Sequence, residues 1–309
     1  MSNNIPKWIE SNSIVKRTKF FLRSISPWGV EGMNLYDVFR FFGLGLINGS
    51  VSIRAASISY RLLLAFFPAM ILLLSILPHT PLETNDVMDA LLLFFPGETV
   101  SLFELTVNDL LEKSHISILS IGFVLTAFYA SNSVNAILTG FNASYLLEKK
   151  GNPMLYYFIS LLLLVILVVM LGVAVFLIGF SGQGLTWLSN KGLLPGELLP
   201  WLNIARWTMS LILVYFSVSI LYHFGNPDRD KWRTITPGAT MTTILIVLLS
   251  VGFGAFITYL DSYNRLYGSL GTFLLLLVWV NANSSILLLG FEFNVSVHKA
   301  RNEARSNLQ

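Results

Sequence analysis

The chain has 309 residues, of which 54% are hydrophobic and only 12% charged, where an ordinary soluble domain carries roughly a quarter charged residues. That balance excludes a water-soluble globule and requires a lipid solvent, with 23 Phe, 7 Trp and 11 Tyr available for acyl chains and the two interfaces. The absence of cysteine excludes a disulfide framework, a zinc-thiolate site and a cysteine nucleophile, while the formal charge of +3 is modest and carries meaning only through its distribution.

The N-terminus, MSNNIPKWIESNSIVKRTK, is polar and basic and lacks the short apolar core and small-residue cleavage site of a signal peptide. Residues 1–33 are therefore expected to form a cytoplasmic tail. Residues 34–49, NLYDVFRFFGLGLING, are apolar but carry Asp37, Arg40 and three glycines; they read either as an interfacial helix or as a cytoplasmic extension of the first span. Apolar stretches near the roughly 20 residues needed to cross about 30 Å of hydrocarbon follow at 56–77, 116–138, 155–180, 204–224, 235–260 and 268–293. The expected fold is all-α, a polytopic six-helix membrane domain over 34–294, with a cytoplasmic tail at 295–309. Between the first two spans, residues 78–115 are acidic (Glu83, Asp86, Asp89, Glu98, Glu104, Asp109, Glu112 against Lys113). Their apolar residues recur at helical spacing on either side of Pro96-Gly97, so two short helices capping the outer mouth are expected.

Translocating positive charge is disfavoured, so orientation follows from the loop Lys and Arg residues. Lys7, Lys16, Arg17, Lys19, Arg23, Arg40 and Arg54 precede or open the first span. Lys149 and Lys150 lie in the second loop, Arg229, Lys231 and Arg233 in the fourth, and Lys299, Arg301 and Arg305 at the C-terminus. The alternate loops hold only Lys113, Lys191 and Arg265. Both termini are expected in the cytoplasm and segment 78–115 outside.

Polar residues inside spans are the informative ones, because each is costly in lipid and normally faces the bundle or water. At about 100° per residue, Ser50, Arg54, Ser57, Arg61, Ala65 and Pro68 form one stripe of span one. Asn132, Asn135, Thr139 and Asn142 do so in span two, and Asn281, Ser284, Ser285 and Glu292 in span six. Span five shows the habit most fully in Thr236, Thr240, Thr243, Ser250, Gly254, Thr258 and Asp261, interrupted only at Val247. Small and hydroxylic residues of this kind either let helices approach closely or line a ligand path. Arg61 is expected about 9 Å to the cytoplasmic side of the midplane and Glu292 about 16 Å to the same side, at about 1.5 Å per residue. Glu292 and either Arg61 or Arg54 read as a structural ion pair or as an anion-attracting site.

AASISYRLLLAFFPAMILLL (55–74), FYASNSVNAILTGFNASY (128–145) and YGSLGTFLLLLVWVNANSSILLLGFEFN (267–294) together resemble the YihY/BrkB family of bacterial inner-membrane proteins. The likeness covers nearly the whole membrane region and rests on Ser59, Tyr60 and Pro68 in span one. In span six it rests on Tyr267, Gly268 and Gly271 at the start, then Trp279, and on Gly290, Glu292 and Asn294 at the end. Tyr129, Asn281 and Arg61 depart from the residues the family tends to carry there. The resemblance implies six helices with both termini inside, in the inner membrane, but no agreed activity. Labels attached to the family include a serum-resistance or virulence factor, a ribonuclease and roles in moving lipid or lipopolysaccharide precursors.

The residues disfavour the ribonuclease, because phosphodiester hydrolysis needs clustered carboxylates with metals or a positioned acid and base. The histidines His79, His115, His223 and His298 are scattered, the acidic cluster is expected outside, and no GxxxxGK(S/T) motif binds phosphate. No catalytic residue, metal, cofactor or nucleic-acid partner is expected. Membrane lipids are expected as partners, and two classes remain: a transporter or flippase for an anionic amphiphile, and a non-transporting envelope scaffold or binding protein in which the stripes only pack and the acidic outer loop docks a partner. On the first reading Arg54, Ser57, Arg61, Asn132, Asn135, Thr236, Thr240, Thr243, Asn281, Ser285 and Glu292 contact the substrate in a cavity between spans one, two, five and six. Gly252, Gly254, Gly268 and Gly271, around the outer connection of spans five and six, either allow movement or pack closely. Against transport, only Pro68 interrupts a span and no internal repeat is evident.

Overall fold

The computed structural model of the protein describes residues 35–76, 116–147, 151–191, 195–227, 235–259 and 269–306. The tail 1–33, the acidic segment 78–115 with its Pro96-Gly97 turn, Asp261, Tyr267 and Gly268 lie outside the described residues. Within them the chain forms α1 (Leu35–Asn48), α2 (Val51–Ile76), α3 (Ile116–Asn142), α4 (Pro153–Asn190), α5 (Leu199–Gly225), α6 (Pro237–Tyr259) and α7 (Ser269–Ser306). A single 3-10 turn, Gly196–Leu198, leads into α5. The regular elements of the described residues are therefore all helical, as lipid demands of any open backbone.

Local chemistry explains where several helices begin. Proline opens α4 and α6, where its missing N–H would have had no partner. Ahead of them, Asn152 Oδ1 accepts from the Met154 amide at 2.9 Å and Thr236 Oγ1 from the Ala239 amide at 3.2 Å, each supplying an N-terminal cap. Between α1 and α2, Ser50 adopts φ 48°, a left-handed conformation that ends one helix and starts the next.

Among the described residues five stretches are long and apolar enough to cross a bilayer: Ser120–Asn142, Pro153–Ala174, Gly196–Gly225, Pro237–Phe256 and Phe273–Ala304. A sixth is reached when Leu35–Asn48 and Val51–Ala69, bent by 64°, are counted as one span. The first half of α2 carries Ser52, Arg54, Ser57, Ser59 and Arg61, which dilute its apolarity. The bend also means that α1 is not a straight extension of α2.

Successive helices close a ring, with α2 on α3, α3 on α4, α4 on α5, α5 on α6, α6 on α7 and α7 back on α2. Across it α3 also meets α5 and α7, which makes α3 the central helix, and α1 lies on α7. At the centre the rings of Phe141 (α3) and Phe291 (α7) stack at 4.3 Å, with Tyr222 (α5) edge-on to Phe141 at 5.4 Å and to Phe291 at 5.8 Å. Gly140 allows α3 to approach Ile58 and Leu288, and Gly225 leaves room for the Phe141 ring. Much of the outer surface of the described helices is apolar. Val165, Val168, Val169 and Leu171 of α4 are exposed, in the span that lacks a polar stripe, and Trp201 and Trp207 near the start of α5 are exposed as interfacial rings are.

With 38 residues, α7 is about 57 Å long at about 1.5 Å per residue, well beyond the roughly 30 Å of hydrocarbon. It does not stop where span six was expected to end at 293, but runs through the first part of the C-terminal tail to Ser306. The α1 helix covers this last section, with Phe42 edge-on to Phe293 at 5.6 Å.

Candidate functional site

The polar residues of the bundle fall into separate groups, the most buried of which surrounds Glu292. Its side chain is completely buried. Oε1 accepts from Arg54 Nη2 at 2.6 Å and Oε2 from Ser144 Oγ at 2.7 Å, while Arg54 Nη1 donates to the Gly140 carbonyl at 2.7 Å. The elbow of α1 roofs this cluster. A Cβ on Gly45 would lie 2.9 Å from Glu292 Oε2, and one on Gly49 would lie 2.8 Å from Arg54 Nη2. Within this cluster the Arg54 Nε is buried without a partner. Charge is thus neutralised internally and both carboxylate oxygens are engaged, the condition under which a buried pair is tolerated. Of the two arginines that sequence spacing left open as partners of Glu292, the structure selects Arg54.

A second group stitches α6 to α7. Asn294 Oδ1 accepts from the Gly238 amide at 2.7 Å, and its Nδ2 donates to Thr236 Oγ1 at 3.0 Å. Tyr222 from α5 shares a hydrogen bond with Thr242 at 2.6 Å and donates to the Leu287 carbonyl at 2.7 Å. Gly290 faces both Tyr222 and Thr242. Thr243 is buried and donates to the Ala239 carbonyl at 2.9 Å, whereas Thr240 is exposed and donates to the Thr236 carbonyl at 3.2 Å. A third seam joins α2 and α7, where Asn281 Nδ2 donates to Ser59 Oγ at 3.3 Å; Ser285 Oγ donates within α7, to the Asn281 carbonyl at 2.9 Å.

The remaining group lies on the side of α2 and α3 turned away from the centre. Ser133 Oγ donates to the Arg61 carbonyl at 2.7 Å, which fixes α2 against α3 at that level. At about 100° per residue, Asn132 and Thr139 stand on the face of α3 opposite the central Phe141, and Asn135 borders them. Ser57 and Arg61 are exposed, and Asn132 and Asn135 are partly buried. Among the described residues no acceptor meets the Arg61 guanidinium. The Asn135 Oδ1 is buried without a partner.

Thr236, Thr240 and Thr243 therefore belong to the α6–α7 side and Arg61, Ser57, Asn132 and Asn135 to the outer α2–α3 side, with Arg54 and Glu292 between. The residues that close the fold around α7 coincide with the motif Gly290-Phe291-Glu292-Phe293-Asn294. Gly290 meets α5 and α6, Phe291 meets α3, Glu292 meets α2, Phe293 meets α1 and Asn294 meets α6. Of the other motif residues, Ser59 and Gly271 are buried, Trp279 is half-buried, Tyr60 is exposed and Pro68 is accommodated inside α2. Sequence reasoning missed Ser144, Tyr222, Thr242 and the pair Gly45 and Gly49. The glycine pair carried a readable signal, since small residues four apart mark a close helix approach. Among the described residues no three His, Asp or Glu side chains gather where they could hold a metal ion.

A family profile described as Virulence factor BrkB matches residues 46–309. The chain is 28% identical over 250 residues to YfkH of Bacillus subtilis, a protein whose name terms it ribonuclease-like, covering 80% of this chain and 90% of that one. It is 27% identical over 270 residues to a UPF0761 membrane protein of Vibrio parahaemolyticus, covering 84% and 81% of the two chains. With a UPF0761 membrane protein of Aliivibrio salmonicida it shares 25% identity over 276 residues, covering 85% and 83%. No solved structure matches the chain.

Proposed function

The chain belongs to the YihY/BrkB family of multi-pass inner-membrane proteins, and from that premise we propose that it takes up an anionic amphiphile beside α2 and α3 and carries it across the membrane. The observation that carries this reading is the contrast between two arginines on one stripe. Arg54 is neutralised by Glu292. Arg61, seven residues or about two turns further along, is exposed on α2 and meets no acceptor among the described residues. A guanidinium held at membrane depth requires an anion or water, and its fork of donors suits a phosphate or carboxylate. Ser57 and Arg61 are exposed and Asn132 is partly buried, so the headgroup would settle against these residues while its tails stay among lipid chains. With both termini in the cytoplasm, as the Lys and Arg bias implies, the headgroup would be collected from the inner leaflet.

A scaffold without transport is the second reading, and one observation favours it. Many of the Ser and Thr hydroxyls inside the spans, among them Ser59, Thr139, Thr243, Ser250, Ser284 and Ser285, donate to carbonyls of their own helix. They need no ligand. The two readings separate in proteoliposomes. Purified protein should retain phosphatidylglycerol over phosphatidylcholine and expose fluorescently tagged phosphatidylglycerol of the inner leaflet to external dithionite. Arg61→Ala should weaken both effects. Equal retention of the two lipids overturns the anionic site, and retention without movement leaves the scaffold.

A further inference from the structure

We infer that Pro68 and Thr126 form a hydrated hinge, in which a water held between the Thr126 hydroxyl and the carbonyl released by Pro68 lets the outer end of α2 move against α3. The starting point is an unpartnered hydroxyl between the two helices. Thr126 Oγ1 is buried and has no hydrogen-bond partner, although the great majority of buried polar side-chain atoms are satisfied. A threonine inside a helix can return its hydroxyl to the preceding turn, as Thr139 and Thr243 do; Thr126 does not. At about 100° per residue it lies about 20° round α3 from Ser133 and about 40° from Gly122, the residues that meet α2. Ser133 Oγ donates to the Arg61 carbonyl at 2.7 Å, and a Cβ on Gly122 would lie 3.8 Å from the Leu72 Cα.

Those two contacts also set the register of the antiparallel pair. From Arg61 to Leu72 and from Ser133 back to Gly122 is eleven residues in each helix. Thr126, seven residues back from Ser133, therefore stands level with Pro68, seven residues on from Arg61. Pro68 has no N–H, so the Leu64 carbonyl, one turn earlier, loses the amide that would have met it inside α2. A second polar group is thus left over within about one turn of the first, near the middle of the apolar stretches 56–77 and 116–138. In hydrocarbon a carbonyl freed by proline is tolerated when a hydroxyl or an ordered water takes it. The Thr126 hydroxyl has not taken it directly. One water that accepts from Thr126 and donates to Leu64 satisfies both, and gains the two polar partners that a buried water needs.

The consequence for α2 follows from where the helix is held. Its inner part is fixed by Arg54 on Glu292 and the Gly140 carbonyl, by Asn281 on Ser59 and by Ser133 on the Arg61 carbonyl. Beyond Pro68, α2 meets α3 at Gly122, which has no side chain to hold it. A missing rung between a clamped section and a smooth one is where a helix bends, and a bridging water keeps both polar groups paired as it does so.

The test uses the full-length protein in nanodiscs and no cargo, so its outcome is independent of the transport reading. Deleting a hydroxyl that holds nothing would raise Tm, whereas deleting one end of a water bridge strands the Leu64 carbonyl. Thr126→Val is therefore expected to lower Tm by a few degrees, and Thr126→Ser, which keeps the hydroxyl, to stay near the wild type. In a Pro68→Ala background, where the Leu64 carbonyl regains an amide, Thr126→Val should lose that penalty. Hydrogen exchange should be slower in Pro68→Ala for the α2 amides beyond position 68, by on the order of fivefold to tenfold, the scale of one hydrogen bond. The amides from 51 to 61 should not change. Solid-state NMR on the protein carrying 13C-threonine should show rapid transfer of magnetisation from water to Thr126 in the wild type and little in Pro68→Ala. A raised Tm for Thr126→Val, or no transfer from water to Thr126 in the wild type, overturns the water site; equal exchange in the wild type and Pro68→Ala overturns the hinge.

Discussion

Arg54 and Glu292 stand 238 positions apart in the chain, yet their side chains meet at 2.6 Å, with the carboxylate wholly buried. The contact ties the first long helix to the last and is completed by Ser144, beyond the end of α3, and by the Gly140 carbonyl. With both carboxylate oxygens and both terminal guanidinium nitrogens engaged, the pair holds three helices in one register. It also leaves Arg61 as the cation on the α2 stripe without a protein counter-charge among the described residues.

The first prediction concerns that pair. Glu292→Gln should destabilise the detergent-solubilised protein by about 3–5 kcal/mol, because it strands a buried guanidinium. Arg54→Leu should cost a similar amount, and the double variant much less than the sum. Thermal unfolding of the four proteins gives the coupling directly. Arg61→Leu combined with Glu292→Gln should show no such rescue; a rescue by Arg61 and not by Arg54 would contradict the geometry.

Glycines of the α1 elbow provide a second test. Gly45→Val should be strongly destabilising, since even a Cβ there would lie 2.9 Å from Glu292 Oε2. Gly43→Ala has nothing within 4 Å of the new atom and should be neutral or stabilising by up to about 1 kcal/mol through helix propensity. Equal losses for the two variants would show that α1 does not seat on the ion pair.

A third expectation follows from the junction of α5, α6 and α7. Tyr222→Phe removes the hydroxyl shared with Thr242 and the Leu287 carbonyl and should lower stability by about 1–3 kcal/mol, the range for a buried group left unsatisfied. Gly290→Ala should cost more, because the added methyl meets both Thr242 and Tyr222. Asn294→Leu, which uncaps α6, should fall nearer 1 kcal/mol.

Topology can be settled with single cysteines, since the natural chain has none. Cysteine in place of Asp86 should react with an impermeant maleimide in intact cells, whereas cysteine in place of Ser11 or Asn307 should react only after lysis. Labelling of the ends in intact cells would invert the orientation and move Arg61 to the outer half of the membrane.

The sequence by itself determined that this is a helical membrane protein, because transfer of a helix into lipid is set by the summed apolarity of about 20 consecutive residues. That property needs no knowledge of neighbours, and five of the six expected spans appear as separate apolar helices while the first joins α1 through a bend. The requirement that Glu292 find a cation was legible for the same reason, as the cost of an unpaired charge is local. Which cation was not. Arg54 and Arg61 lie about two turns apart on one stripe, so periodicity ranks them equally; only the approach of α7 beside Gly140, under the glycines of α1, brings Glu292 to Arg54. A hydroxyl can return its bond to the preceding turn, and which neighbour a stripe faces depends on how the helices are arranged. Tertiary packing divided the polar residues between the α6–α7 junction, the buried ion pair and the outer side of α2 and α3, because close approach at Gly140, Gly225 and Gly290 fixed which faces meet.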